Sequence, residues 1–587
     1  MSQIWVSGAR YDTIGTTWSD SMGKQRMFRP FKTGTKGAKT TTSGENTGNT
    51  ASTHSGLDIL DEPVNQHDEQ ASSTLSANET HENQPIQKPA HVGDGLRAGI
   101  AVTSGRLAGA VSRRLHIGGG TSIVGVVAQA IYPPIVSHLS QQLQYGSLAV
   151  TGTNGKTTTS GFIAAILADA GLRVWRNREG SNLQRGVATS LVVRAQPTGN
   201  LRRSGRAVAV FELDEAAFPS VMRLVSPRVA VFTNLFRDQL DRYGEVDSVA
   251  SLWQQVIKEG VLADTTLILN ADDPAIAYLG TLANSPVLYY GIDASLPEMT
   301  TNETEHHQTL DTRTCPVCGG ELLYSVRFYS HMGHYACRDC GWARPQPHIR
   351  AISVQAEGID RQRVVVGSGL RSQSRQELTI PLSGIYNVYN ALAAIASTQA
   401  IDIAWEPIVT GVEQFKPIFG RGERIQAEGR TIRLLLAKNP TGFNEVLRTL
   451  CSDGISRHIL FVLNNNIADG RDISWIWDVD FERCVGNVST LVVAGNRALD
   501  LAIRLKYAGI AQEDMLIVPP APLRAKRRDE QALEGRYGLK SAIDAALQQT
   551  PEGETLFIVP TYTGLLAVHQ ELERRGFTSH YWEGRDY

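Results

Sequence analysis

The chain of 587 residues has almost no charge imbalance: 57 Lys and Arg stand against 59 Asp and Glu. A dominant nucleic-acid footprint needs a basic excess, so that class is excluded for the chain as a whole and only a local patch stays open. Long apolar runs are missing too. No stretch reaches the roughly 18 apolar residues of a membrane-spanning helix. The opening MSQIWVSGARYDTIGTTWSDSMGK lacks the apolar centre of a secretory signal. Cysteine is scarce, six in all, which rules out a disulfide framework for so long a chain. The expected compartment is the cytosol.

Apolar residues are also sparse over 33–93, where Thr, Ser, Gly, Asn, Gln and His dominate (TGTKGAKTTTSGENTGNTASTHSG). Such a composition does not offset ordering entropy. Residues 1–96 are therefore expected to be a poorly ordered extension, with globular patterning from 97 onward. The remaining length exceeds what one core usually serves.

What is present is a series of β-branched runs ending in polar residues: LAVTGT, RAVAVFELDE, RVAVFTNL, TLILNADDP and VLYYG, with helical stretches between several of them. This predicts an α/β fold with a mostly parallel sheet, whose chemistry gathers at the C-terminal ends of the strands. Residues 97–425 form the expected central domain. A second alternation (TIRLLLAKNP, HILFVLNNN, STLVVAGN, DMLIVPP, TLFIVPTYTG) predicts a second α/β domain over 426–587.

The first run opens into LAVTGTNGKTTTSGF. Backbone N–H groups of Gly152, Thr153, Asn154 and Gly155 are expected to turn toward an anion. Lys156 adds a positive charge, and the following helix adds its N-terminal dipole. Thr157 is placed to ligate Mg²⁺, although Val150 stands where the strict phosphate-loop pattern has glycine. Mg²⁺ needs hard oxygen ligands, and VAVFELDEA offers Glu212, Asp214 and Glu215, with Glu215 the expected partner.

Over 311–345 the chain carries two C-x-x-C pairs, Cys315/Cys318 and Cys337/Cys340, each followed by glycine. Four thiolates at this spacing suit tetrahedral Zn²⁺ in a closed structural site. The expected unit is a ribbon inserted in the central domain and folding largely on itself, with ELLYSVRFYSHMGHYA as its hairpin.

TGTNGKTTTS, TNLFRDQLDRYGE, LNADDP, IYNVYNALAA and GRGE occur in an order and spacing that resemble the Mur ligase family. The resemblance implies ATP-dependent conversion of a carboxylate to an acyl phosphate that a nitrogen nucleophile attacks. It implies ATP binding by Gly152 to Thr158 (Gly152, Thr153, Asn154, Gly155, Lys156, Thr157, Thr158), by Asn387 at adenine, and by Asn270 and Arg421. It implies catalytic roles for Lys156 and Glu215, and a surrounding role for Asn234, Asp238 and Asp241. Two features depart from the amino-acid-adding members. Trp253 stands near the place of their modified lysine, and LLLAKNPTG puts Leu435 near an expected aspartate.

The stretches LNNNIADGRDISWIWDVDFE, VAGNRALDLAIRLKYAG and VPTYTGLLAVHQEL resemble the MurT branch of that family, the synthetase subunits of lipid II isoglutaminyl synthase. That branch amidates the α-carboxyl of D-glutamate in the lipid II stem peptide at the inner membrane face. Its partner is a GatD-type glutaminase that supplies ammonia. The synthetase is thought to lend an aspartate to the partner's Cys–His pair. Asp469, Asp472 and Asp478 are the candidates. Asp469, beside Gly470 past a strand end, is preferred, because Asp472 reads as a helix cap. The alternatives are an amino-acid-adding ligase related to folylpolyglutamate synthase and a binding module with a nucleic-acid-reading ribbon.

Overall fold

The computed structural model describes residues 92–114, 122–177, 181–202, 204–237, 246–294, 312, 314–370, 374–417, 420–451, 453–520 and 528–578. Asp238 and Asp241, and all of the N-terminal extension before residue 92, lie outside the described residues.

The β-branched runs form a nine-stranded sheet. In chain order its strands are β1 (Ser147–Thr151), β2 (Arg173–Arg176), β3 (Ala207–Glu212), β4 (Val229–Phe232), β5 (Thr266–Asn270), β6 (Val287–Ile292), β9 (Ile349–Glu357), β10 (Arg361–Ser368) and β11 (Ser374–Ile380). Between β6 and β9 the chain makes a separate hairpin, β7 (Leu322–Tyr329) and β8 (Met332–Cys337). The spatial order is β11-β10-β9-β6-β5-β4-β1-β3-β2. From β2 to β9 in that order, all neighbours pair in parallel. The expectation of a mostly parallel sheet therefore holds. Sequence reading singled out no strands between 346 and 380, where β9, β10 and β11 run antiparallel. Their alternation of charged and apolar residues is that of a sheet edge with one wet face.

Both faces of the central strands are covered. On one face lie α4 (Lys156–Asp169) and the small-residue helix α9 (Ile385–Gln399). On the other lie α1 (Val92–Arg114), α2 (Ile123–Ile131), α3 (Ile135–Ser140), α5 (Gln184–Val192), α6 (Phe218–Met222), α7 (Val246–Lys258) and α8 (Pro274–Leu279). Helix α1 starts at Val92, inside the segment expected to be an unordered extension. Helices α2 and α3 are separated at Pro133 and Pro134, where proline cannot continue a helix.

After α10 (Trp405–Glu413) a six-stranded sheet begins: β12 (Arg421–Ala427), β13 (Arg430–Leu435), β14 (Arg457–Val462), β15 (Val488–Ala494), β16 (Met515–Ile517) and β17 (Thr555–Pro560). Its order is β12-β13-β17-β14-β15-β16, and all neighbours except β12–β13 are parallel. It is flanked by α11 (Pro440–Cys451), α12 (Ala498–Tyr507), α13 (Arg528–Gln549) and α14 (Tyr562–Arg574). Arg421 already lies on β12, so this sheet starts a few residues ahead of the expected boundary at 426. The GRGE segment leads into its first strand.

Candidate active site

Strand β1 ends at the sheet centre between β3 and β4, and its exit makes two tight turns. Gly152 has φ 131° and Gly155 φ 85°, both in the region that favours glycine. A Cβ on Gly155 would fall 2.0 Å from Asn390 Oδ1, and one on Gly152 2.1 Å from Thr233 Oγ1. The loop is pinned from the end of β4. Asn234 O accepts from Thr153 N (2.9 Å), and Asn234 Oδ1 accepts from Asn154 N (2.8 Å). The expectation that these two N–H groups face an anion is thereby corrected, because Asn234 uses both. The first turn of α4 carries N–H groups with no intrahelical partner, which can face an anion.

Lys156 opens α4 and is 8% exposed. Its Nζ donates to Gly152 O, to Thr153 O (3.2 Å) and to Glu215 Oε1 (2.9 Å). Glu215 is equally buried. Thr157 Oγ1 donates to Glu212 Oε1 at 2.8 Å, and Glu212 is the last residue of β3. The Thr157–Glu215 pairing expected around Mg²⁺ is therefore rearranged. Glu212 is the acid at the threonine, and Glu215 is the acid at the lysine. One hydroxyl and two carboxylates thus bring hard oxygen donors to one strand end, a set suited to Mg²⁺. Trp253 supports this cluster. It is fully buried against Phe218 and Phe232, and its Nε1 donates to Glu215 O at 3.0 Å.

A cleft opens beside the loop and lies between the two sheets. Asn154, Gly155 and Thr158 line one wall, Asn387 and Asn390 of α9 another, and Arg421, Lys438 and Glu445 the side of the second sheet. Phe236, Tyr329 and Tyr386 supply aromatic surface. This mixture of polar groups and aromatic surface is that of small-molecule sites. Asn387 and Arg421 line the cleft. Asn270 does not reach the cleft: it is fully buried, its Nδ2 donates to Thr233 O (3.0 Å), and its Oδ1 accepts from Asp272 N (3.1 Å). Asn439 crosses from the start of α11 to the loop, and its Nδ2 donates to Asn154 Oδ1 at 3.0 Å.

The four cysteines meet at the root of the β7–β8 hairpin. All four Sγ atoms lie within 4.8 Å of one another, with Cys315–Cys340 at 3.7 Å and Cys318–Cys337 at 3.5 Å. A tetrahedral Zn²⁺ with bonds near 2.3 Å requires S···S separations of about 3.8 Å. The thiolates fit that ion. Gly319 (φ 78°) and Gly341 (φ 73°) make the turns behind it.

The hairpin does not fold largely on itself, contrary to expectation. Tyr335 Oη donates to Ala271 O (3.0 Å), and Gly333 N to Asp272 O (2.9 Å). Just past the cysteines, Arg344 pairs with the fully buried Asp272 and with Asp293 (3.0 Å). Burial pushes the Asp272 carboxyl up, while the Arg344 cation opposes that shift. Phe328 and Met332 are fully buried in the main core.

Asp469 lies in the loop after β14 and is 4% exposed. Its Oδ1 accepts from Thr563 N (2.7 Å). Its Oδ2 accepts from Thr563 Oγ1 and from Asn466 N (3.1 Å). The carboxylate thus ties the loop to the start of α14. Burial pushes its carboxyl above the usual aspartate value, against the pull of these donors. Asp472 is exposed and accepts from Ser474 N (2.8 Å), as a local cap. Asp478 lies 3.4 Å from Arg237.

The Mur ligase middle domain matches over residues 150–332, and the MurT ligase C-terminal domain over 436–565. The lipid II isoglutaminyl synthase (glutamine-hydrolyzing) subunit MurT of Staphylococcus aureus (strain COL) is 32% identical over 395 residues, which cover 67% of this chain and 84% of that protein. The chain belongs to the MurT family of Mur ligases. It is accordingly an ATP-dependent ligase. The MurT subunit of Streptococcus pneumoniae (strain ATCC BAA-255 / R6) is also 32% identical, over 70% of this chain and 88% of the relative. Among solved structures, a pseudomurein peptide ligase type C from Methanothermus fervidus superposes with a TM-score of 0.52 at 23% identity, covering 73% of this chain and 78% of its own. MurF from Acinetobacter baumannii does so with 0.52 at 18%, covering 78% and 79%. These two share the fold.

Four residues take parts that sequence reading missed. The pairing of Glu212 could have been found from the alternation of β3, which turns its last residue to the loop side. In sequence Trp253 reads only as a departure. Tyr329 and Asn439 come from the hairpin and the second half of the chain, and no local pattern announces them.

Proposed function

We propose that this MurT-family chain amidates the α-carboxyl of D-glutamate in the lipid II stem peptide, giving D-isoglutamine. It would work beside a GatD-type glutaminase and act at the cytoplasmic membrane face through its lipid-linked substrate. The observation that carries this reading is the Lys156–Glu215 and Thr157–Glu212 cluster at the edge of a cleft lined by Asn387 and Arg421, in a chain whose second half matches the MurT C-terminal domain.

ATP would lie along the cleft, with its base toward Asn387 and its phosphates toward Gly155, Lys156 and the first turn of α4. Mg²⁺, held by Thr157 and the acids Glu212 and Glu215, would neutralise phosphate charge. The carboxylate oxygen of the substrate attacks the γ-phosphorus, the bond to the β–γ bridging oxygen breaks, and ADP leaves. Lys156 stands in an ion pair in the ligand-free chain, and its ammonium would exchange Glu215 for phosphate oxygen as charge develops. Ammonia then attacks the acyl carbon, phosphate departs with the C–O bonding electrons, and the nitrogen loses a proton. An ammonia nucleophile needs no amino-acid pocket, which accounts for Trp253 and Leu435 at positions where the amino-acid-adding members differ.

Ammonium carries no free lone pair, so the nucleophile is best released beside the site by the partner. Asp469 is the acid we assign to the partner's histidine. Donors of its own chain, the N–H and hydroxyl of Thr563, the N–H of Asn466 and the hydroxyl of Thr561, fix its orientation. The deciding experiment is co-expression with the glutaminase from the same source, followed by an assay of lipid II amidation. Product that requires both ATP and glutamine supports the reading. Turnover with an added amino acid and no partner would replace it with the amino-acid-adding alternative. The four cysteines would hold a structural zinc, read out as a single zinc per purified chain.

A further inference from the structure

An isolated two-stranded hairpin is marginally stable in water and needs packing or a staple. Here both are present, at opposite ends. The cysteine cluster lies at the root, and the tip is the turn between Tyr329 and Met332, roughly 20 Å along the strands. The tip reaches the cleft. The Tyr329 ring lines it, 5.9 Å from the ring of Phe236 and 6.1 Å from that of Tyr389 on α9. The His331 ring also packs on Phe236, at 4.7 Å, and lies 3.3 Å from Asp273. Phe328 O accepts from Arg448 Nη1 of α11 at 2.8 Å. The hairpin therefore touches the central sheet, α9 and the second half of the molecule at one point, and that point is the wall of the cleft.

We infer that the four-cysteine ribbon is a part of the nucleotide site, with Tyr329 as a positioning residue for ATP and the metal at the root holding that ring in the wall. This rests on the nucleotide and zinc readings above. Nothing in the hairpin tip is assigned to phosphate. Its contribution is apolar surface and a fixed width of the cleft, so zinc loss should act on nucleotide affinity before it acts on chemistry.

The test uses the full chain with its glutaminase partner, metal analysis, and equilibrium binding of a non-hydrolysable ATP analogue. Tyr329→Ala should keep its zinc and weaken the analogue about fivefold or more, the scale of losing one aromatic surface against a base. Tyr329→Phe should stay within about twofold. The pair Cys318→Ser/Cys340→Ser should lose the metal and weaken the analogue by a similar factor. Adding Tyr329→Ala to it should cost little more, since residues acting through one another are not additive. In steady state the KM for ATP should rise while kcat changes less. If the double serine variant does not fold, chelation of the native chain followed by zinc return gives the same comparison. Zinc loss with unchanged nucleotide affinity, fully additive losses, or a purified chain without zinc would overturn the inference. A native chain that binds no nucleotide would instead overturn the proposed function.

Discussion

Two buried acids sit at matching places in the two sheets. Glu215 follows β3 and Asp469 follows β14, each in the loop beyond the C-terminal end of a parallel strand. Glu215 faces a cation, the Lys156 ammonium. Asp469 faces neutral donors, the hydroxyls of Thr563 and Thr561 and the backbone N–H groups of Thr563 and Asn466. A buried ion pair costs desolvation on both sides, and breaking it leaves an uncompensated charge. A buried acid among neutral donors keeps its shape but is pushed toward its protonated form. Under the proposed function, the first arrangement would exchange one anion for another at the lysine, and the second would hold a carboxylate fixed toward a partner. Similar strand-end positions thus differ in what stands across from them.

The largest effect should come from breaking the charged member. Lys156→Ala should lower ATP-dependent amidation by about 10²–10³-fold or more, the scale of removing one preorganised charge stabiliser. The fold should survive, as judged by circular dichroism and by partner binding. Amidation near the native rate would remove Lys156 from the chemistry.

Asp469→Asn tests the acid held by neutral donors and should rank second. Glutamine-driven amidation should fall steeply, on the order of tenfold or more, as expected when a triad acid is lost. Amidation driven by high ammonium chloride should persist, because the proposed acyl-transfer cluster lies around Lys156 in the other sheet. Association with the glutaminase should change little, since one side chain is a small part of an interface. Equal losses with both nitrogen sources would show that the variant merely loosens the loop at α14, and Asp472 and Asp478 would then be the next to substitute.

The difference between the two acids also marks what sequence could reveal. The β-branched runs announced β1 and β3–β6, because strands buried largely on both faces leave a continuous apolar signature. The loop, its lysine and the cysteine cluster were legible because their residues are close in sequence. Pairings across the chain were not. Thr157 choosing Glu212 over Glu215 depends on strand register, which sets Val150 beside Glu212 in the sheet. Asn270, assigned to nucleotide by motif, is turned inward by the Thr233 carbonyl. The expected independence of the ribbon failed for the same reason. Its partners Ala271 and Ile292 are 64 and 42 residues upstream of the side chains they hold.

Trp253 sharpens the contrast at a smaller scale. Its indole N–H holds the backbone oxygen of Glu215, whereas the donors to Asp469 come from Thr563, Asn466 and Thr561. Trp253→Phe keeps aromatic volume and removes the donor. Losing one buried hydrogen bond costs about 0.5–1.5 kcal/mol, so kcat should fall about two- to tenfold while glutamine hydrolysis by the partner stays unchanged. An unchanged kcat would leave Trp253 as packing alone.

The smallest expected effect lies at the other end of the helix that Asp469 caps. Glu571 sits in the last turns of α14 and accepts from Arg574 Nε (2.9 Å) and Arg575 Nε (2.8 Å). These arginines hold its carboxyl down at about 2, from an ordinary 4.5. A depressed acid contributes stability above its unfolded value and loses it as pH falls through the folded one. Asp469 runs the other way, since burial raises it and its ionisation weakens the folded state as pH rises above the usual aspartate range. Glu571→Gln should therefore destabilise the second half of the chain near neutral pH, by about 1 kcal/mol or less, because Arg574 is solvent-exposed and screened. The gap from the native chain should close as pH drops below about 4.5, toward the depressed value. For Asp469→Asn the gap should instead widen on acidification. Urea midpoints for the three chains between neutral and mildly acidic pH measure both slopes at once. Parallel pH profiles for the two variants would mean that charged and neutral surroundings do not set these two acids apart.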